Sequence, residues 1–250
     1  MQKKDSLGNR MKSNYEDVYR FKLTRRTPVI VRLDGKAFHT LTRGCNKPFD
    51  DIFQWSMIET MKRLCEEVQG VKCAYTQSDE ISLLLSDFDR LDTHAYFDYN
   101  LQKIVSILAS IASIAFSNAY NKTGIFDARA FNIPKEEVKN YFIWRQKDWE
   151  RNSLQMLAQS HYSQKQLNKK NKADMHEMLH EKGINWADLD GKCKNGTFMF
   201  KDIKGWDTLD TLVLTSDERP VIGSVFDYLV WYDINELNYV DVFSIEKKEE

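Results

Sequence analysis

The chain has no cysteine pair in Cys-x-x-Cys spacing. Its four cysteines, Cys45, Cys65, Cys73 and Cys193, form no metal-like pattern with the five histidines. This weighs against a cysteine-built metal centre and predicts reduced, unspecialised thiols. There is no basic excess: 36 Lys and Arg against 37 Asp and Glu give a formal charge of -1. Any nucleic-acid surface must therefore be a local patch balanced by acid elsewhere. Met1 to Asn14 is polar and charged, so no secretory signal is expected. The longest apolar stretch, Ile104 to Phe116, is broken by Ser106, Ser110 and Ser113 and reads as too short to cross a bilayer. A cytoplasmic protein without membrane contact is the expectation. Internal repeats and low-complexity segments are also missing.

What is present is ordinary for a folded domain: 42% apolar, 29% charged and 12% aromatic residues over 250 positions, enough for one sizeable core. Tyr15, Val18, Tyr19 and Phe21 form a small amphipathic stripe, which predicts a short helix within Asp5–Phe21. Val29 to Leu33 is apolar and β-branched on both alternating sets, as in a central strand covered on both faces. Asp34 and Gly35 close it. From Asp51 to Val68, Met57, Ile58, Met61, Leu64, Cys65 and Val68 repeat at helical spacing, and Gly70 provides a stop. Cys73 to Leu85 then reads as two strands folded back on each other, with Ser78, Asp79 and Glu80 at the connection.

A second long helix is expected over Tyr99–Tyr120, ended by Asn121 and Gly124, followed by a strand over Phe126–Asn132. Pro134, with Glu136 and Glu137 in the first turn, opens a helical region continuing through residues 154–182. Shorter strands are expected at 194–200, 211–215 and 220–233, and a frayed end at 246–250. Strand, helix, hairpin, helix, strand is the order of a ferredoxin-like, palm-type α+β fold: a mainly antiparallel sheet with helices on one face, plus a helical C-terminal extension. The division suggested is a catalytic core over 1–133 and an extension over 134–250, packed as one compact unit.

Two strand ends, each carrying an Asp, suggest chemistry. If Asp34 and Asp79 converge, they could bridge two magnesium ions, with Glu80 as a third candidate ligand. Gly35, lacking a Cβ, would admit a phosphate or metal close to the main chain. Spacing alone leaves open the alternative that both aspartates merely form turns. The backbone N–H groups of Lys36, Ala37, Phe38 and His39 could cradle phosphates, with Lys36 and Lys47 supplying charge. The plainer alternative for both lysines is a solvated surface. Arg25, Arg26, Arg145, Lys147, Arg151 and the lysines at 165, 169, 170 and 172 could meet an RNA backbone, with Trp144 or Trp149 as stacking faces, or could simply be solvated helix faces.

Taken together, Val31-Arg-Leu-Asp-Gly-Lys-Ala-Phe-His39, Lys47-Pro48 with Asp50, and Tyr75-Thr-Gln-Ser-Asp-Glu80 closely resemble the tRNA-histidine guanylyltransferase family and its relatives, the 3′-to-5′ polymerases. The resemblance continues through Phe126-Asp-Ala-Arg129 and Trp144-Arg-Gln146 to Asn152 and covers roughly residues 5 to 200. It implies a palm-like nucleotidyltransferase in which Asp34 and Asp79 bind two Mg²⁺, assisted by the Gly35 main-chain oxygen. Residues 34 to 39 and Ser78 would hold a nucleoside triphosphate, and Lys47 would neutralise it. Arg129, Arg151 and Asn152 would meet the tRNA or a second nucleotide. Implied partners are tRNA, ATP, GTP and other NTPs, and the implied state is a homo-oligomer, often a tetramer.

One departure bears on the subfamily. Where the eukaryotic enzymes carry His-Ile-Asn-Asn, this chain has Glu150, Arg151, Asn152 and Ser153. That form, with the opening Asp5-Ser-Leu-Gly-Asn-Arg-Met11, resembles the Thg-like branch and implies templated repair of truncated tRNA 5′ ends. The alternatives are addition of a single G to histidine tRNA, a nucleotidyl cyclase, or a non-catalytic tRNA-binding module.

Overall fold

A computed structural model describes residues 6–89, 91–201, 211–213, 220–222 and 228–231. Its strands are β1 Val29–Gly35, β2 Val71–Gln77, β3 Glu80–Leu85, β4 Phe126–Asn132, β5 Thr197–Lys201, β6 Thr211–Val213, β7 Pro220–Ile222 and β8 Tyr228–Trp231. The α-helices are α1 Leu7–Met11, α2 Phe38–Leu41, α3 Asp51–Glu67, α4 Leu101–Tyr120, α5 Val138–His161, α6 Gln164–Leu167, α7 Lys172–His180 and α8 Gly191–Lys194. The strands form one sheet in the order β4-β1-β3-β2-β5-β8-β7-β6, with every pair antiparallel. The first four follow the split β-α-β pattern expected of a ferredoxin-like palm. The frayed end expected at 246–250 lies outside the described residues, as do 214–215 and most of 223–233.

Alternation along β1 sorts the core. Val29, Val31 and Leu33 point into a cluster with Met57, Met61 and Leu64 of α3 and Ile104, Leu108 and Phe116 of α4. Ile30 points the other way, into a cluster with Tyr75, Leu84, Val138, Phe142 and Phe198. Helices therefore cover both faces of the sheet, correcting the one-sided arrangement read from the sequence. The central strands of both β1 and β3 required this: each is apolar on both sides, and a bare face would leave Ile30 and Leu84 in water. β5 pairs with β2, and Met199 joins the α3–α4 cluster, so the chain returns to the sheet after its helical segment.

The caps explain the helix limits. Asp50 accepts from the Phe53 amide at 2.9 Å to start α3, and Asn100 accepts from the Lys103 amide at 3.0 Å to start α4. Asn121, left-handed at φ +55°, ends α4 where expected. α4 matches the helix expected over Tyr99–Tyr120, starting two residues later. At 20 residues it is long and apolar enough to cross a membrane by length and composition alone, a property it shares with core helices. Here one side of it packs on α3 and the sheet, with Ile104, Leu108, Ala112 and Phe116 buried. The N-terminal stripe is also different from a packed amphipathic helix: Tyr15, Val18, Tyr19 and Phe21 are exposed.

Candidate active site

β1 ends at Asp34 and Gly35, and β2 and β3 are joined by a two-residue turn at Ser78 and Asp79, where Ser78 takes φ +48°. The two ends are tied together: the Gly35 N–H donates to the Asp79 carbonyl at 2.9 Å. In register, Asp34 lies opposite Glu80 on one side and Asp127 of β4 on the other. One step down the strands, Arg32 lies opposite Ser82 and Arg129. A row of carboxylates thus sits directly above a row of arginines, and Asp34 accepts from Arg129 at 2.8 Å and from Arg32 at 3.3 Å.

Asp79 is held differently. Burial pushes its carboxyl pKa up, and the negative charge of Asp34 pushes the same way. Its own main-chain amide and the Ser78 hydroxyl offset part of that rise, and nearby His39 acts in the same direction as they do. A half-buried anion next to another anion is the electrostatic setting that a bound cation would relieve. Among the described residues, no group of three or more His, Cys, Asp or Glu side chains encloses a metal by itself. Two carboxylates are nevertheless a workable donor set for magnesium, which keeps waters and takes its other oxygens from substrate phosphates. The residues fit the ion in that sense.

Glu80, a candidate ligand from the sequence, is placed against Arg145, a candidate RNA contact. Arg145 Nε donates to one Glu80 oxygen at 2.7 Å and Nη2 to the other at 2.5 Å, while Gln77 and Ser82 approach the same oxygens at 3.4 Å. Arg145 is 7% exposed, so it offers RNA no accessible cation. Its partner is the β3 carboxylate that follows Asp79, and the pair fastens the hairpin tip to α5. Trp149 is likewise buried and lines a cleft instead of presenting a stacking face.

That cleft, of about 400 Å³, opens beside Asp79. Its walls include Phe38, Lys47, Phe49, Phe53, Gln77 and Trp149. Two buried wall atoms, Gln77 Oε1 and Trp149 Nε1, have no hydrogen-bond partner. Both atoms are closed to solvent as the cleft stands, so a bound molecule would satisfy this acceptor and donor only by shifting the wall side chains. Gly35 is needed for a reason the sequence did not suggest: a Cβ there would meet the Phe38 ring at 2.6 Å. The glycine lets the first residue of α2 pack under the strand end. Of the expected amide cradle, the Lys36 N–H already donates to the Ile125 carbonyl at 2.7 Å. Ala37, left-handed at φ +57°, turns the chain into α2, whose first amides have no intrahelical acceptor.

The remaining candidates are scattered. Arg25 pairs with buried Asp87 at 2.6 Å, and the Arg26 main-chain N–H donates to the same carboxylate at 2.8 Å. Arg151 is exposed and pairs with Asp148 at 2.5 Å, which Asn152 reaches at 3.5 Å. Ser153 is buried and accepts from Trp186 at 2.9 Å. Lys165 on α6, Lys169 and Lys170 after it, and Lys172 at the start of α7 are all exposed. Sequence reasoning missed Arg32 and Asp127. The signal was available in the alternation Arg32-Leu-Asp34 and Asp127-Ala-Arg129, which sets opposite charges on one face of paired strands.

Comparison with known proteins is consistent across sequence and structure. A family model described as tRNAHis guanylyltransferase (Thg1) matches residues 8–134. An uncharacterised protein of Acanthamoeba polyphaga mimivirus is 30% identical, the match covering 85% of this chain and 82% of that one. The tRNA(His) guanylyltransferase of Debaryomyces hansenii is 32% identical over 57% of this chain, and the match spans 59% of the fungal protein. Two solved structures of a bacterial tRNA(His) guanylyltransferase (Thg1)-like protein, one with ATP and one with GTP, are 38% identical. They cover 97% of this chain and 100% of theirs, with TM-scores of 0.81 and 0.75. The Saccharomyces cerevisiae enzyme, at 20% identity and a TM-score of 0.64, shares the fold over 75% of this chain. The chain belongs to the tRNAHis guanylyltransferase (Thg1) family, a family of nucleotidyltransferases.

Proposed function

We propose that this chain adds nucleotides in the 3′-to-5′ direction to the 5′ end of tRNA, choosing each by pairing with the opposing strand, and so rebuilds truncated ends. The observation that carries this reading is the Gly35–Asp79 hydrogen bond at 2.9 Å, which ties together the two strand ends that carry Asp34 and Asp79, with Asp79 on the wall of a cleft. In the reaction, the 3′-hydroxyl oxygen of an incoming NTP attacks the α-phosphorus of an RNA 5′-triphosphate. The bond to the β,γ-pyrophosphate breaks, and pyrophosphate leaves. On an RNA with a 5′-monophosphate, a phosphate oxygen first attacks the α-phosphorus of ATP or GTP and pyrophosphate leaves; the 3′-hydroxyl then attacks the RNA phosphorus and AMP or GMP leaves.

Asp34 and Asp79 would hold Mg²⁺, which when bound supplies Lewis-acid activation of the hydroxyl and charge neutralisation at phosphorus. The chain's own residues do the rest. The aromatic cleft takes the nucleoside, and Lys47 on its wall meets the triphosphate. Gln77 and Trp149 satisfy one donor and one acceptor on the base. Every common nucleobase offers such a pair, so these atoms anchor a base without choosing it, and the choice falls to the template. Arg32 and Arg129, beside Asp34, face phosphate. Action as a homo-oligomer, a tetramer by the family resemblance, and in the cytoplasm belongs to the same proposal.

The test is extension of a 5′-truncated, 5′-triphosphorylated tRNA with Mg²⁺ and each NTP supplied singly. Addition that follows the opposing base is the expected result. Addition of G whatever the opposing base would instead make the chain a histidine-tRNA enzyme, and NTP turnover without RNA would make it a cyclase. TRNA binding with no addition would leave the binding-module reading.

A further inference from the structure

On the α5 side of the sheet, the surface next to the carboxylates carries exposed aromatic side chains beside cations. β4 is an edge strand, paired only with β1 among the described residues. Its alternation sets Asp127, Arg129 and Phe131 outward on one face, all exposed. Phe131, 36% exposed, meets the ring of Tyr141 at 6.0 Å, and Tyr141 meets Trp144 at 5.9 Å. Trp144 is 53% exposed, with the Arg145 guanidinium stacked 4.4 Å from its ring centre. Along α5, Trp144, Lys147 and Arg151 are exposed at i, i+3 and i+7 and so share one face.

The order along this surface is carboxylate, arginine, aromatic. Each pair of residues along a strand covers about 6.6 Å, so Arg129 stands one such step from the carboxylate row and Phe131 two. Nothing in the fold requires this: an exposed Phe and an exposed Trp joined through a buried Tyr bury little apolar area on the chain itself. Cations beside stackable rings suit an RNA 5′ end, phosphate on the arginines and the open face of the terminal base on the rings.

We infer that Phe131 and Trp144 form a stacking platform for the first bases of the RNA 5′ end, with Arg129 and Arg32 on its terminal phosphates. The platform delivers the reacting phosphorus to Asp34 from the side of the sheet opposite α3 and α4. It rests on the nucleotidyl-transfer reading above and adds the surface that would bring in the RNA.

The test uses the full chain and a 5′-triphosphorylated RNA hairpin with 2-aminopurine at its first position and a 3′ overhang. Wild type should quench the 2-aminopurine on binding. Phe131→Ala and Trp144→Ala should each weaken hairpin binding about 10-fold and abolish the quench, leaving GTP affinity unchanged. Trp144→Phe, which keeps a ring, should restore most of both. Unchanged hairpin affinity and quench in folded Phe131→Ala and Trp144→Ala would overturn the inference. So would unchanged hairpin binding with loss of self-association by light scattering, which would make the patch an interface between copies. The two readings fail separately. Wild type that stacks the hairpin but adds nothing refutes the transfer reading alone, and addition with an unaltered RNA KM in the alanine variants refutes the platform alone.

Discussion

The amide of Gly35 donates to the carbonyl of Asp79 at 2.9 Å, and this one main-chain bond brings together two carboxylates that are 45 positions apart in the sequence. It fixes Asp34 and Asp79 through the sheet, before any ligand arrives. Asp79 carries the cost. Burial and Asp34 both raise its pKa above the ordinary value of 3.8. The folded state therefore binds a proton more tightly than the unfolded chain, so the Asp79 contribution to stability falls as pH rises from 3.8 through the raised folded value, and stays low above it. Asp79→Asn should raise Tm at neutral pH and flatten the acid-side pH dependence, while reducing nucleotide transfer more than about 100-fold. Thermal unfolding of both proteins from pH 4 to 8 checks this; a lower Tm for the variant at neutral pH would contradict it.

Arg145 and Glu80 are each nearly buried, and each satisfies the other. Removing one partner leaves an unpaired buried charge, which typically costs about 3–5 kcal/mol, whereas an apolar pair of similar size is close to neutral. Arg145→Met should lower Tm by about 10 °C. Glu80→Leu in the same chain should recover much of that loss. If the double variant is no more stable than Arg145→Met, the pair is not the coupling that holds the hairpin tip to α5.

Gly35→Ala places a methyl 2.6 Å from atoms of the Phe38 ring. Overpacking of this kind costs about 1–3 kcal/mol. Phe38 also lines the cleft, so GTP affinity should fall along with stability. Chemical denaturation and GTP titration together measure both, and a variant matching wild type in each would show that Phe38 moves aside freely.

Trp149→Phe removes the unpartnered N–H but keeps an aromatic ring on the cleft wall. A lost hydrogen bond of about 1 kcal/mol predicts a roughly 5-fold higher KM for NTPs. The rise should be similar for all four, with the RNA KM unchanged. A rise confined to GTP would mean that the cleft selects a base, against the template-choice account.

Much of the fold was legible. The apolar alternation of Val29–Leu33, the helical spacing from Met57 to Val68 and the Ser78–Glu80 turn each gave the right element, because each is dictated by local period and caps. The second helix layer was not, since α5 has polar and aromatic residues mixed along it and only the sheet shows that Val138 and Phe142 face Ile30 and Leu84. Within the site, Asp34 and Asp79 could be paired because each sits at a strand end. The partners of Glu80 could not. An Arg 65 positions away reads as a surface cation until the packing of α5 places it inside. Trp149 was misread for the same reason, as a wide ring on a helix whose buried face the sequence did not mark.

The most direct measurement is metal stoichiometry. Mn²⁺ binding followed by electron paramagnetic resonance, with a non-hydrolysable GTP analogue present, should give about two ions per chain in wild type. Asp34→Asn and Asp79→Asn should each lose both, while keeping a native circular dichroism spectrum. Full Mn²⁺ occupancy in either folded variant would contradict the claim that these two strand ends form one metal and nucleotide centre.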